Sequence, residues 1–221
     1  MAQSDHRQSV NIIIADDHPL FRAGVVNELK KAPDFTIVAE ASDGQQAFDS
    51  IIRLQPDIAI LDVKMPELSG LEVSRDLQEK DVTTGIILLT MLDEQKIFLK
   101  ALEYGVKGYV LKDAAVQNIS TAVKRVAGGC YYLSPEMTGV LVKKSPEPAT
   151  TDTPDEIQSL TPAEYNVLSH VAELKSNQEI AQELFISVRT VENHKVNINR
   201  KLRLQGRNAL LKYAIEHKAY L

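Results

Sequence analysis

A chain of 221 residues with 44% apolar and 25% charged residues has the balance of a globular protein and room for two hydrophobic cores, which excludes a disordered, collagenous or low-complexity chain. Its single cysteine, Cys130, rules out an intramolecular disulfide and a cysteine-based zinc site, and no apolar run approaches the roughly 18 residues that span a bilayer. The net charge of −5 conceals an asymmetry, because residues 189–221 carry eight basic side chains against only Glu192 and Glu216. An acidic body with a basic end points to two jobs, one of them a candidate for binding a polyanion.

The first apolar stretch, Val10 to Ala15, follows a polar start and runs straight into Asp16 and Asp17. It does not read as a signal peptide, and the expected location is the cytoplasm, with no membrane contact. Four further β-rich runs follow it: FTIVAEA (35–41), DIAILDV (57–63), TGIILLT (84–90) and GYVLK (108–112). Between them lie segments of helical period, such as Phe21, Val25 and Leu29, or Ala47, Ile51 and Leu54. Apolar runs without alternation suit strands covered on both faces, so the fold class is α/β, a five-stranded, doubly wound parallel sheet.

In such sheets the ligand site lies at the carboxyl ends of the strands. The first strand ends in Asp16 and Asp17, the third in Asp62, the fourth in Thr90 and the fifth in Lys112. Three carboxylates, a hydroxyl and an ammonium therefore converge on one edge. Crowded carboxylates repel, and a hard divalent cation such as Mg²⁺ relieves them. With that charge neutralised, a carboxylate can attack phosphorus and become an acyl phosphate, and Thr90 and Lys112 suit its oxygens. A single strand-end aspartate is more often a turn or cap residue, but five polar groups at matching strand ends resist that reading. His18, before Pro19, reads as a helix-entry residue rather than a metal ligand.

The runs ADDHPLFRAGV, LDVKMPELSGLE and KGYVLKD, with the strand ending in Thr90, resemble the receiver domain of bacterial two-component response regulators over about 9–130, which implies a flavodoxin-like sheet. The resemblance implies Asp62 as the phospho-acceptor and Asp16 and Asp17 as the acidic Mg²⁺ pair, joined by Asp62 and the backbone carbonyl of Lys64. It implies Thr90 as switch hydroxyl, Tyr109 as switch aromatic and Lys112 as phosphate-pairing lysine. Pro66 and Gly70 fit the turn after the phospho-acceptor, and Lys64 and Leu92 are expected to flank the path of the hydrolytic water.

Residues 143–159 hold three prolines and only Ala149 and Ile157 as apolar residues. They read as a linker within a connecting helix and linker over 131–159. Beyond it, Thr161–Glu164 and Ser176–Glu179 are capping boxes, the first with Pro162 at the first helical position, and Ser187 caps a helix starting near Val188. Two helices joined by so short a turn make a helix-turn-helix, giving an all-α second domain over 160–221. On the second of these helices Val191, His194, Ile198 and Leu202 share the core face, whereas Glu192, Asn193, Val196, Asn197 and Arg200 face outward. Short, mostly uncharged side chains flanked by cations suit base reading in a major groove better than a merely solvated surface. Leu211, Ala214 and Ile215 then either cover this core or meet a second copy.

Residues 159–204 resemble the LuxR-type helix-turn-helix of NarL/FixJ-class response regulators. Two departures are Leu174-Lys175, where glycine is common, and Glu192, where a basic residue is frequent. Thr190, Glu192, Asn193, Lys195, Val196, Asn197, Arg200, Lys201 and Arg203 are the expected DNA-binding residues, with Lys195, Lys201 and Arg203 on phosphates. Together the resemblances imply a sensor histidine kinase as donor, double-stranded DNA as target, a homodimer when phosphorylated, and contact with RNA polymerase as an option. The only expected catalysis is self-phosphorylation and slow self-dephosphorylation. The rival reading is an aspartyl-phosphate phosphotransferase or phosphatase acting on a small molecule. That chemistry typically needs an acid/base carboxylate two residues after the nucleophile, where Lys64 stands here, and a substrate-enclosing cap.

Overall fold

In the computed structural model, the described residues are 9–91, 95–135, 137, 155–206 and 208–221. They fall into two compact units, 9–91 with 106–134, and 95–105 with 135 onward. No helix among them is long and apolar enough to cross a membrane.

The first unit is a parallel sheet in the order β2-β1-β3-β4-β5-β6, built from β1 (Val10–Ala15), β2 (Phe35–Ala41), β3 (Ile58–Asp62), β4 (Gly85–Thr90), β5 (Gly108–Leu111) and β6 (Tyr132–Leu133). Helices α1 (Pro19–Leu29), α2 (Gly44–Leu54), α3 (Gly70–Glu79) and α5 (Lys112–Ala127) connect the strands, and α4 (Gln95–Glu103) is grouped with the second unit. The unalternating strand runs are buried on both faces, as at Ile12, Ile13 and Ile14 in β1 and Ile87, Leu88 and Leu89 in β4. Val25 and Leu29 of α1 and Ala47 and Ile51 of α2 enter the core, while Leu54 remains exposed.

The sheet has six strands where five were expected. The sixth pairs with β5 through main-chain bonds, Tyr132 N donating to Lys107 O at 2.8 Å and Ser134 N to Tyr109 O at 2.9 Å. The hydroxyl of fully buried Ser134 also accepts from Leu111 N at 3.1 Å. Tyr132 and Leu133 therefore belong to the sheet, and Ser134 is bonded to its edge.

The second unit contains α6 (Asp155–Gln158), α7 (Pro162–Ala172), α8 (Asn177–Glu183), α9 (Val188–Lys201) and α10 (Ala209–Glu216). All three expected caps form: Thr161 and Ser176 close capping boxes with Glu164 and Glu179, and the Ser187 side chain accepts from Thr190 N. Residues 155–158, read as linker, form a helical turn because Ile157 is buried. The rest of that linker, 143–154, lies outside the described residues. Leu210, Leu211, Tyr213, Ala214 and Ile215 are all buried, so α10 covers the core of its own unit.

Phe185, in the turn between α8 and α9, is 94% exposed and has φ +55°. A side chain in the left-handed region carries a steric cost that glycine avoids, and this ring gains no burial in return. Phe185→Gly is expected to stabilise the second unit by about 0.5–1 kcal/mol, read as a higher urea midpoint with unchanged slope.

Candidate functional site

The parallel register brings the ends of β1, β3, β4 and β5 to one edge. Asp16, Asp62 and Thr90 are buried there, while Asp17 is half-buried and His18 exposed. Lys112 Nζ sits between the acids, 2.8 Å from Asp16 Oδ2 and 2.6 Å from Asp62 Oδ2. Ligand atoms of Asp16, Asp17, His18 and Asp62 all lie within 4.8 Å of one another, so the residues form an acidic pocket of the size a cation needs. Asp16 Oδ2 and Asp17 Oδ1 are buried without a well-aligned hydrogen bond, although Lys112 Nζ and His18 Nδ1 stand at ion-pair distance. Such acceptors suit a hard cation with oxygen ligands. His18 is the N-cap of α1 ahead of Pro19, its N–H donating to Asp16 Oδ1 at 2.8 Å and its Nδ1 lying 2.6 Å from Asp17 Oδ1.

Burial pushes the Asp62 carboxyl pKa above its ordinary value, outweighing the hydrogen bond and charge of Lys112 that pull it down. Burial also disfavours the Lys112 ammonium, but its close pairing with the Asp16 and Asp62 carboxylates more than compensates and holds its pKa above the usual lysine value. Lys64 N donates to Asp62 Oδ1 at 3.3 Å, placing the start of the following loop against the carboxylate. Gly70 is required where that loop closes, since a Cβ there would stand 2.3 Å from Asp62 O. Thr90 Oγ1 donates to Met91 O at 2.9 Å, and Tyr109 is already buried. Leu92 lies outside the described residues.

Two members of this neighbourhood received no role from the sequence. The Phe21 ring lies under Lys112 Nζ, 4.9 Å from its centroid, and Arg22 Nη1 donates to the Asp16 carbonyl. The signal for both was their place on the first turn after the acidic pair, which a parallel sheet sets over the same edge.

In the second unit α9 sorts as expected. Val191, Ile198 and Leu202 are buried, His194 is half-buried, and Glu192, Asn193, Val196, Arg200 and Arg203 are exposed. Asn197 and Thr190 are half-buried, Asn197 Oδ1 accepting from Arg200 Nη2 at 3.2 Å and Thr190 Oγ1 lying 2.8 Å from Ser187 Oγ. Two of the cations expected on phosphates have protein partners in this structure. Lys195 Nζ donates to Asn177 Oδ1 at 2.6 Å, and burial lowers its pKa. Lys201 Nζ donates to Glu164 Oε2 at 2.6 Å and to Ser159 O at 3.3 Å, because a buried carboxylate needs a counter-charge. At the first departure, Leu174 takes φ +63° in the place where glycine is common, and Lys175 behind it bridges Glu173 and Glu183.

Residues 12–124 match the family model described as the response regulator receiver domain, and residues 158–214 match bacterial regulatory proteins of the luxR family. The chain is a LuxR-family response regulator. The oxygen regulatory protein NreC of Staphylococcus carnosus is 37% identical over 213 residues, 95% of this chain and 98% of that protein. Among solved structures, the RcsB response regulator of Salmonella typhimurium is 27% identical over 93% of this chain and 98% of its own, with a TM-score of 0.57. A two-component response regulator RcsB in complex with DNA gives 28% identity, the same coverage and a TM-score of 0.56. As a two-component response regulator this chain joins a receiver domain to a DNA-binding domain of helix-turn-helix type.

Proposed function

We propose that a sensor histidine kinase phosphorylates Asp62, and that this event controls sequence-specific binding of the second domain to double-stranded DNA, and thereby transcription. The observation that carries the reading is the Lys112 ammonium held between Asp16 and Asp62, inside a cluster of acids at the ligand edge of the sheet. Asp16, Asp17, Asp62 and the Lys64 carbonyl would hold Mg²⁺. When bound, that ion supplies positive charge that lets an anionic carboxylate approach an anionic phosphoryl group. An Asp62 oxygen attacks phosphorus, the O–P bond forms as the donor's P–N bond to histidine breaks, and the leaving imidazole keeps the electron pair and takes up a proton. Lys112 then pairs with one phosphoryl oxygen and Thr90 releases Met91 O to donate to another. With Tyr109 buried on the neighbouring strand, movement of Thr90 alters the surface formed by β4 and β5. The chain's catalysis is confined to its own aspartate, since the position two residues beyond it holds Lys64 and not an acid/base carboxylate.

On the DNA side, Glu192, Asn193, Val196 and Asn197 read base edges, helped by Thr190 and Arg200, while Arg203 meets phosphate and Lys195 supports the interface from its place beside Asn177. Lys201 stays with Glu164. A phosphorylated homodimer would engage two half-sites, in the cytoplasm and within reach of RNA polymerase.

Binding-site selection from a random duplex pool tests this, using protein treated with phosphoramidate and Mg²⁺ beside untreated protein. Treated wild type is expected to enrich paired half-sites and to bind them at least about 5-fold more tightly than untreated protein, the lower end of ordinary coupling between sites. Equal affinity of treated and untreated protein for the selected site overturns control by phosphorylation.

A further inference from the structure

The Lys112 ammonium has three N–H groups and, among the described residues, two carboxylate partners in this pocket, Asp16 at 2.8 Å and Asp62 at 2.6 Å. Its remaining side faces the Phe21 ring, 4.9 Å to the centroid, within the range where a cation is attracted to an aromatic face. The lysine side chain is only 10% exposed, so water screens this contact little. The ring is itself fixed. It packs on the buried core, Pro19 starts its helix, and the first turn is fastened to the end of β1 by His18 N donating to Asp16 Oδ1 and Arg22 Nη1 donating to Asp16 O.

We propose that Phe21 is a positioning residue for phosphoryl transfer: its ring face holds the Lys112 ammonium over Asp62 and so sets the rate of acyl phosphate formation. The inference rests on the reading of Asp62 as acceptor. A ring face suits this task better than a third carboxylate or a water. It attracts the charge without accepting a directed hydrogen bond, so the third N–H stays available to turn toward an arriving phosphoryl oxygen. With phosphoramidate as donor, the Asp62 O–P bond forms as the P–N bond breaks and ammonia leaves with the electron pair and a proton. Lys112 keeps its own protons throughout.

The test measures the rate of phosphorylation by phosphoramidate at saturating Mg²⁺ in the full chain, by intact-protein mass spectrometry. Phe21→Leu, which keeps apolar bulk and loses the ring, is expected to react about 3- to 30-fold more slowly, the range of a cation–π contact at a partly buried site. Phe21→Trp is expected to recover most of the lost rate. Replacing Phe21 by mono-, di- and trifluorophenylalanine leaves shape nearly constant while weakening the ring's attraction for cations, so the rate should fall stepwise along the series. In a Lys112→Gln background the same replacements should have no further effect. A metal-free readout accompanies these: the Lys112 ε-protons should be ring-current shifted upfield in wild type and lose that shift in Phe21→Leu. A flat fluorination series, or an equal effect with and without Lys112, overturns the proposal, and the fluorinated variants decide the matter even if Phe21→Leu folds poorly. Asp62→Asn runs alongside: persistent labelling there overturns the acceptor reading, whereas no labelling there with a flat fluorination series overturns only the role of Phe21.

Discussion

Asp62→Asn is expected to abolish base-labile phosphoryl incorporation from phosphoramidate and also to raise the thermal midpoint of the first unit at pH 7 by a few degrees. The two effects have one cause. Asp62 shares a buried pocket with Asp16 and Asp17, and among the three acids Lys112 is the lysine at hand. Burial raises the Asp62 pKa in the folded protein. A carboxyl whose folded pKa is raised contributes stability that is complete below its unfolded value near 4 and is lost as pH rises through the folded value. At neutral pH the ionised side chain therefore weighs against folding, and asparagine removes that charge while keeping an acceptor for Lys64 N. The midpoint gap between variant and wild type should narrow as pH is lowered toward 4, and narrow again with Mg²⁺ at pH 7. Calorimetry over pH and Mg²⁺ checks this. A lower midpoint for the variant in metal-free buffer means that the Lys112 ion pair outweighs the crowding.

Glu164→Ala is expected to cost the second unit about 2–4 kcal/mol, because one side chain closes a helix cap and neutralises a lysine from another helix. Glu164 is 4% exposed and accepts from Thr161 N at 2.8 Å, Thr161 Oγ1 at 2.9 Å and Lys201 Nζ at 2.6 Å. Burial alone would raise its pKa, yet the Lys201 and Thr161 hydrogen bonds bring it down to about 2. Here the sign is opposite to that of Asp62: the stabilisation is present above about 4.5 and is lost as pH falls toward 2. Wild type should therefore lose second-unit stability steeply between those limits, while Glu164→Ala starts lower and shows a shallower acid limb. Glu164→Gln, which keeps an acceptor without the charge, should fall between them. Urea unfolding at several pH values, with hydrogen exchange on the first turn of α7, measures both effects. A variant that loses less than about 0.5 kcal/mol would mean that Lys201 is free to serve DNA.

Sequence reasoning placed Asp16, Asp62, Thr90 and Lys112 on one edge because parallel strands with unbroken apolar runs leave little freedom in where their ends lie. It sorted α9 equally well, since a helix whose core face is Val191, Ile198 and Leu202 has its outward face determined by geometry. What it missed depends on contacts distant in the chain or made by main chain alone. Strand β6 has two residues, no alternation, and bonds that any side chains would permit. The partner of Lys201 lies 37 residues away, and a lysine at the end of α9 gives no sign that a buried glutamate has claimed it. Ile157 was discounted because a lone apolar residue among prolines and threonines resembles a linker, although one buried side chain suffices to anchor a helical turn. At Leu174 the substitution for glycine was visible, but not that the left-handed turn would persist without it.

The short strand β6 bears on how the protein can be divided. The receiver match ends at residue 124, and α5 ends at Ala127, so either looks like a natural place to cut. A fragment ending there would lack Tyr132 N, Ser134 N and the Ser134 hydroxyl, leaving the outer edge of β5 with open carbonyls at Lys107 and Tyr109 and an open N–H at Leu111. An apolar strand with an unpaired edge is a template for another strand, and fragments of this kind join edge to edge. Self-association of such a fragment would then report the missing seam and not a dimerisation property of the intact regulator. Extending the fragment through Ser134 carries its own edge cover with it.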